Sequence, residues 1–260
     1  MLELLYATGI KVSEIIGLNA RADKHENANI NLTLSIRDKN QIDKIISDNN
    51  LSFYGNLNVV DTDDVIDMHD DPTTLLKAHS NSSMALAFKE LVEDRADAFV
   101  SAGSTGAVVV GGTLIVKRIK GIKRPALAGM IPSPTGHYML MDMGANAECR
   151  PEMLCQFGIM ASAYLKGVEG KENATIGLLN IGTEDTKGTE LQKEAYKLLS
   201  EAPINFVGNV ESREMPKGVC DAVITDGFTG NIALKLIEGT ASTFFRLVKN
   251  ALYKSLKNKL

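Results

Sequence analysis

Little in this chain points to chemistry performed by cysteine, histidine or a bound metal. Its three cysteines, Cys149, Cys155 and Cys220, are an odd number with no C-x-x-C pair, so neither a disulfide framework nor a zinc site is implied. The four histidines, His25, His69, His79 and His137, show neither H-E-x-x-H nor triad spacing, and no G-x-S-x-G nucleophile elbow occurs. No cofactor motif is evident. No apolar run approaches the roughly 18 residues of a membrane span, and the first residues lack the basic, apolar and small-residue order of a signal peptide. The expectation is a soluble protein of the reducing cytoplasm that touches a membrane at most peripherally. Basic residues are not in excess either: 28 Lys and Arg face 32 Asp and Glu, for a net charge of -4. That balance lacks the footprint of a protein that coats nucleic acid, which is not an expected partner. Low-complexity linkers and fixed-period repeats are also missing.

What is present is a hydrophobic share of 44% over 260 residues, enough for one large α/β domain or two small ones. From Ala98 onward, short β-rich runs end in glycine-containing loops and pass into helical patterns, the alternation of βα units around a mostly parallel sheet. Five such junctions can be read. Their strands are residues 98–101, 139–141, 175–180, 205–207 and 222–225, and the intervening helices include one running from Gly106 to about Arg118 and one from Pro151 to about Gly167. Residues 126–131 and 138–141 flank a Pro-Ser-Pro-Thr-Gly turn and read as a hairpin, the one antiparallel departure. Earlier, residues 30–36 and 57–60 are candidate strands, and Pro72 introduces two consecutive helices, the second capped by Asn81 or Ser82. Loops at the carboxyl ends of parallel strands converge on one crevice, and amides at the helix starts can wrap an anion there. Each glycine loop also reads simply as a tight turn.

Five phrases stand in a fixed order: SAGSTGA at 101–107, RIKGIKRPAL at 118–127, DMGAN at 142–146, GLLNIGTEDTKG at 177–188 and DGFTGN at 226–231. Together they resemble the PlsX family of bacterial phosphate acyltransferases from about Asn27 to the end. The resemblance implies a Rossmann-like α/β fold similar to isocitrate dehydrogenases, with a mostly parallel sheet and flanking helices. It also implies a homodimer, and transfer of a fatty acyl group from acyl carrier protein thioester to inorganic phosphate in phospholipid biosynthesis. Phosphate is itself the nucleophile in that reaction, so the protein need only bind it, aim it and stabilise the thioester oxyanion.

On that reading Lys187 and Asn231 are the catalytic candidates, with surface ion pairing to Glu184 or Asp185 and helix capping as their plainer roles. Gly103, Ser104, Thr105 and Gly106, and likewise Gly227, Thr229 and Gly230, are candidate phosphate cradles. Asn146 and Asn180 are candidates for substrate positioning, Asn146 also for stabilising its own turn. Asp142 and Asp226 read as carboxylates that order loops, since a base is not needed and a facing carboxylate would repel phosphate. Residues 231–260 interleave Leu234, Ile237, Phe244, Leu247 and Leu252 with Lys235, Arg246 and Lys249. They read as a basic amphipathic helix or helix pair, suited to dimer packing, to an anionic membrane or to the acidic carrier protein.

The sequence also departs from the family. An opening Asp-Ala-Met-Gly-Gly-Asp loop and later Tyr-Gly-Gly and His-Gly-Ser segments are missing, so the expected organisation is an atypical segment 1–26 followed by an incomplete acyltransferase domain, 27–260. Residues 2–19 instead resemble the first arginine box of tyrosine recombinases, with Lys11 in the place of the arginine and no H-x-x-R elsewhere. Ser104 stands where the family has asparagine, and residues 73–79 replace a basic helix. A catalytically impaired remnant that binds carrier protein or membrane, and an acyl-CoA:phosphate acyltransferase, are the alternative expectations.

Overall fold

The computed structural model describes residues 18–19, 31–36, 44, 47–48, 57–96, 98–101 and 103–257. It divides into two compact units, Met1–Gly121 and Ile122–Leu260. Apart from Leu18 and Asn19, the atypical segment 1–26 lies outside the described residues.

In the first unit, β1 (Leu18–Asn19), β2 (Asn31–Ile36) and β3 (Leu57–Asp61) form a sheet in which β1 is antiparallel and β3 parallel to β2. The first of the two helices expected after Pro72 is only a 3-10 turn, Pro72–Leu76, capped by the Asp71 carboxylate. The second, α1 (Ser83–Val92), is capped by Ser82, whose hydroxyl accepts from Ala85 N. Ser104 plays the same part for α2 (Thr105–Gly111), which continues as a π-helical turn, Gly112–Val116. Ile66, Leu75, Met84, Phe88 and Ala107 form the core of this unit, each large side chain adding about 1.5–3 kcal/mol by leaving water. Residues 98–101, expected as a strand, make only an isolated bridge at Ala98. Phe99 instead stacks on Phe88, ring centroids 4.0 Å apart.

The second unit is a five-stranded sheet in the order β4-β5-β8-β6-β7. The expected hairpin is present: β4 (Ala128–Ser133) and β5 (Gly136–Met141) pair antiparallel around a two-residue turn, with Ser133 opposite Gly136. The remaining strands, β6 (Thr175–Asn180), β7 (Asn205–Glu211) and β8 (Ala222–Ile224), run parallel to β5. Side chains alternate between the two faces. Met139, Met141, Ile176, Leu178, Ala222 and Ile224 meet α3 (Pro151–Glu169) and α4 (Glu190–Glu201) on one side. Tyr138, Leu140, Leu179, Val210 and Val223 meet the start of α5 (Gly227–Lys257) on the other. The result is an α/β sheet with helices on both faces.

Two boundaries differ from the sequence reading, each for a local reason. The α3 helix passes through Gly167 and ends at Gly170, whose positive φ of 68° forms the C-cap. Strand β7 runs on through Gly208, because that residue takes a φ of 94° and the register to β6 slips by one there, a β-bulge. The terminal segment is a single helix, one of the two forms its pattern allowed. Only its first turns touch the sheet, through Ala233, Leu234 and Ile237; Phe244, Phe245, Leu247 and Leu252 are exposed. Among the described residues no helix is long and apolar enough to cross a membrane.

Candidate active site

Four loops leave the carboxyl ends of β5, β8, β6 and β7, and two buried carboxylates organise the first two. Asp142, completely buried, accepts from Leu127 N, Gly144 N and Ala145 N through Oδ1 and from Asn146 N and Asn146 Nδ2 through Oδ2, all within 2.7–3.0 Å. Five donors replace the water its charge has lost. Asp226 caps α5: Thr229 N donates to its Oδ1 and the Thr229 hydroxyl to its Oδ2, both at 2.8 Å. Both therefore order their loops, as the sequence suggested.

The same bonds revise the expected cradle at Gly227, Thr229 and Gly230. Gly227 N donates to Asn146 O, Thr229 N to the Asp226 carboxylate and Gly230 N to Asp226 O. Their donors are spent, and the carboxylate already occupies the positive end of the helix. Glycine is needed here for packing. A Cβ on Gly227 would lie 2.6 Å from Asn146 O, and one on Gly230 only 1.8 Å from Asp142 O. In the first unit, the Ser104 hydroxyl caps α2, Gly103 N donates to Ser101 Oγ, Thr105 is exposed, and a Cβ on Gly106 would meet the Pro72 ring at 2.7 Å.

Asn231 Nδ2 donates to Met143 O at 3.1 Å, so its amide reaches across to the β5 loop instead of capping its own helix. Asn146 Nδ2 is divided between Asp142 and Pro125 O, which makes this residue a brace of its own turn. Asn180 does the same for the β6 loop, accepting from Ile181 N and donating to Lys187 O. Asn209, which sequence reasoning passed over, supports that loop from β7 through Nδ2 to Glu184 O at 2.8 Å. Lys187 thus rides on a loop pinned at 184 and 187. Its side chain is exposed and makes no ion pair among the described residues; neither Glu184 nor Asp185 engages it. Gly188 and Thr189 line a mainly apolar cavity of about 480 Å³ with Leu179, Thr229, Ile232 and Leu236. The lysine loop and the first turns of the Asn231 helix therefore share one space.

A second cavity, of about 590 Å³, opens beside the Asp142 loop between Lys123, Arg124, Asn146, Glu148 and Arg150. Sequence reasoning did not nominate Arg150, because only the β4–β5 hairpin returns the chain from 124 to 150. Cys149 lines this cavity, and burial pushes its thiol up to about 11. It is neutral near pH 7 and a poor nucleophile. Cys220 is likewise raised by burial to about 11.

Residues 9–260 match the family described as "Fatty acid synthesis protein". The chain is similar to the phosphate acyltransferase of Bacillus licheniformis, 47% identical over 211 residues, covering 81% of this chain and 64% of that protein. It is also similar to those of Oceanobacillus iheyensis (46% identical, 86% and 66% covered) and Caldicellulosiruptor saccharolyticus (44% identical, 96% and 77% covered). The chain therefore spans less than two thirds of the first two relatives. Among solved structures, the EutD phosphotransacetylase from Staphylococcus aureus aligns with a TM-score of 0.53 at 15% identity, covering 79% of this chain and 73% of that one. A phosphotransacetylase from Streptococcus pyogenes gives 0.53 at 13% identity, covering 79% and 72%. At these identities the likeness speaks for the fold alone.

Proposed function

Because the chain belongs to the family of fatty acid synthesis proteins, whose curated relatives are named phosphate acyltransferases, we propose that it transfers a fatty acyl group from a thioester to inorganic phosphate. The observation that carries this reading is a lysine ammonium, Lys187, with no ion pair among the described residues, on a braced loop beside an apolar cavity at the carboxyl edge of the sheet. The cavity suits the acyl chain, and the ammonium suits the oxygen that gains charge as phosphate attacks the thioester carbonyl. A carbon–oxygen bond to phosphate forms, the carbon–sulfur bond breaks, and the thiolate leaves to take a proton from solvent. Asn231 holds its amide toward the Met143 carbonyl in the free protein and turns one N–H to the same oxyanion during reaction. No protein nucleophile takes part, in keeping with the raised thiol of Cys149.

The proposed donor is acyl carrier protein, and the proposed assembly is a homodimer that meets the membrane only peripherally. The exposed Phe244, Phe245, Leu247 and Leu252 of α5 support an apolar contact of that kind. Turnover is tested by following acyl phosphate formed from phosphate and either acyl carrier protein or acyl-CoA. Lys187→Ala is expected to lower kcat/KM by at least about 100-fold, or about 2.7 kcal/mol, with an unchanged melting temperature. Full activity in that variant would remove Lys187 from the reaction, and a preference for acyl-CoA would replace carrier protein as donor.

A further inference from the structure

We propose that the cavity between residues 123–124 and the start of α3 is a phosphate-group site gripped by Arg124 and Arg150. Three cations, Lys123, Arg124 and Arg150, line it against one carboxylate, Glu148. Lys123 already faces Glu152 at 3.8 Å. Arg124 and Arg150 make no ion pair or side-chain hydrogen bond among the described residues. Two guanidiniums on one cavity, with Glu148 as the single carboxylate in its lining, repel each other, and that cost falls when an anion enters.

The local sequence increases the tension. Arg150 occupies the N-cap of α3, where Ser, Thr, Asp or Asn would accept a bond from the first turn, and it supplies no capping contact. Its positive charge also stands at the positive end of a 19-residue helix. An arrangement unfavourable at three levels (cap, dipole and neighbouring charge) is the kind that persists where a ligand completes it. The other wall is prepared. Residues 144–146 are fastened to Asp142, so the backbone that would face the ligand is ordered before it arrives. Cys149 contributes a neutral thiol that does not repel an anion.

Paired guanidinium forks match the tetrahedral oxygens of a phosphate group, where lone ammoniums act only as point charges. Two sources share that chemistry: inorganic phosphate, and the phosphoryl group of a pantetheine-type thioester arm. The choice between them rests on the acyl transfer proposed above; the site itself does not.

Calorimetric titration of the 260-residue chain with inorganic phosphate, and separately with pantetheine 4′-phosphate, tests the site without requiring turnover. At least one of the two is expected to bind, with affinity lowered at least tenfold by Arg124→Gln and by Arg150→Gln and unchanged by Lys166→Gln at the far end of the same helix. Loss confined to inorganic phosphate assigns the site to the nucleophile, and loss confined to the pantetheine ester assigns it to the donor arm. Arg150→Lys keeps the charge without the fork and is expected to bind weakly even where the glutamine variant fails to fold. Undiminished binding of both ligands in the folded double variant, or no binding of either to the parent chain, would overturn the site. A chain that binds phosphate here yet makes no acyl phosphate would instead refute the acyl transfer and leave the site standing.

Discussion

Asp142 and Asp226 place two carboxylates at the carboxyl edge of the sheet, yet neither faces outward. Each is consumed by backbone donors and a hydroxyl or amide of its own turn. Their loops interlock through glycines at 227 and 230, and the fit leaves no room for a methyl group. Gly230→Ala is therefore expected to destabilise the second unit by about 3 kcal/mol or more, since backbone rather than a flexible side chain blocks the new Cβ. Urea denaturation of that variant checks it. The phrase containing these glycines was plain in the sequence, but its cause was not. The obstructing atom lies in a loop more than 80 residues earlier in the chain, as does Met143, the partner of Asn231. Asn146, Asn180 and Lys187 were legible as polar residues at strand ends; that the two amides brace while the lysine makes no ion pair among the described residues required the fold.

Among the elements, strands with strong alternation and flanking turns were readable: β5, β6, β8 and the β4–β5 hairpin lie close to where their residue patterns put them. Where glycine served as the only punctuation, reading it as a stop failed. Gly167 sits exposed near the end of α3 with nothing within 4 Å of a would-be Cβ, whereas Gly158 of the same helix meets Leu199 of α4 at 2.6 Å. Opposite outcomes follow on substitution. Gly167→Ala is expected to stabilise by about 0.5–1 kcal/mol through helix propensity, and Gly158→Ala to destabilise by about 1–3 kcal/mol through overpacking. Thermal unfolding of the two variants side by side measures both. The short apolar run at 98–101 is not a strand, and its aromatic side chain, Phe99, is stacked on Phe88 of α1.

At the scale of the whole molecule, each unit carries its own core, and the second is tied at the amino edge of its sheet by Asp221. This carboxylate accepts from Thr175 N and Thr175 Oγ1 and pairs with Lys171 Nζ at 2.9 Å. Burial alone would raise its pKa, but the Thr175 bonds and Lys171 outweigh burial and hold it below the ordinary 3.8. Lys171 is raised in turn, chiefly by its bond to Asp221. A depressed folded-state pKa contributes stability that is complete above about pH 4 and is lost as the pH falls through the folded value. The raised lysine contributes below about pH 10 and loses its share in more alkaline solution. Urea midpoints should stay level between those limits and fall in acid. Asp221→Ala should lower the plateau by about 1–3 kcal/mol and flatten the acid limb.

The interlock between the Asp142 turn and the base of α5 has a mechanical consequence. The helix is about 45 Å long and is held to the sheet only near its root. A rotation of about 5° there swings the far tip through about 4 Å. Ångström-scale adjustments of that turn are thereby converted into displacements at the outer end large enough for a neighbouring molecule to register.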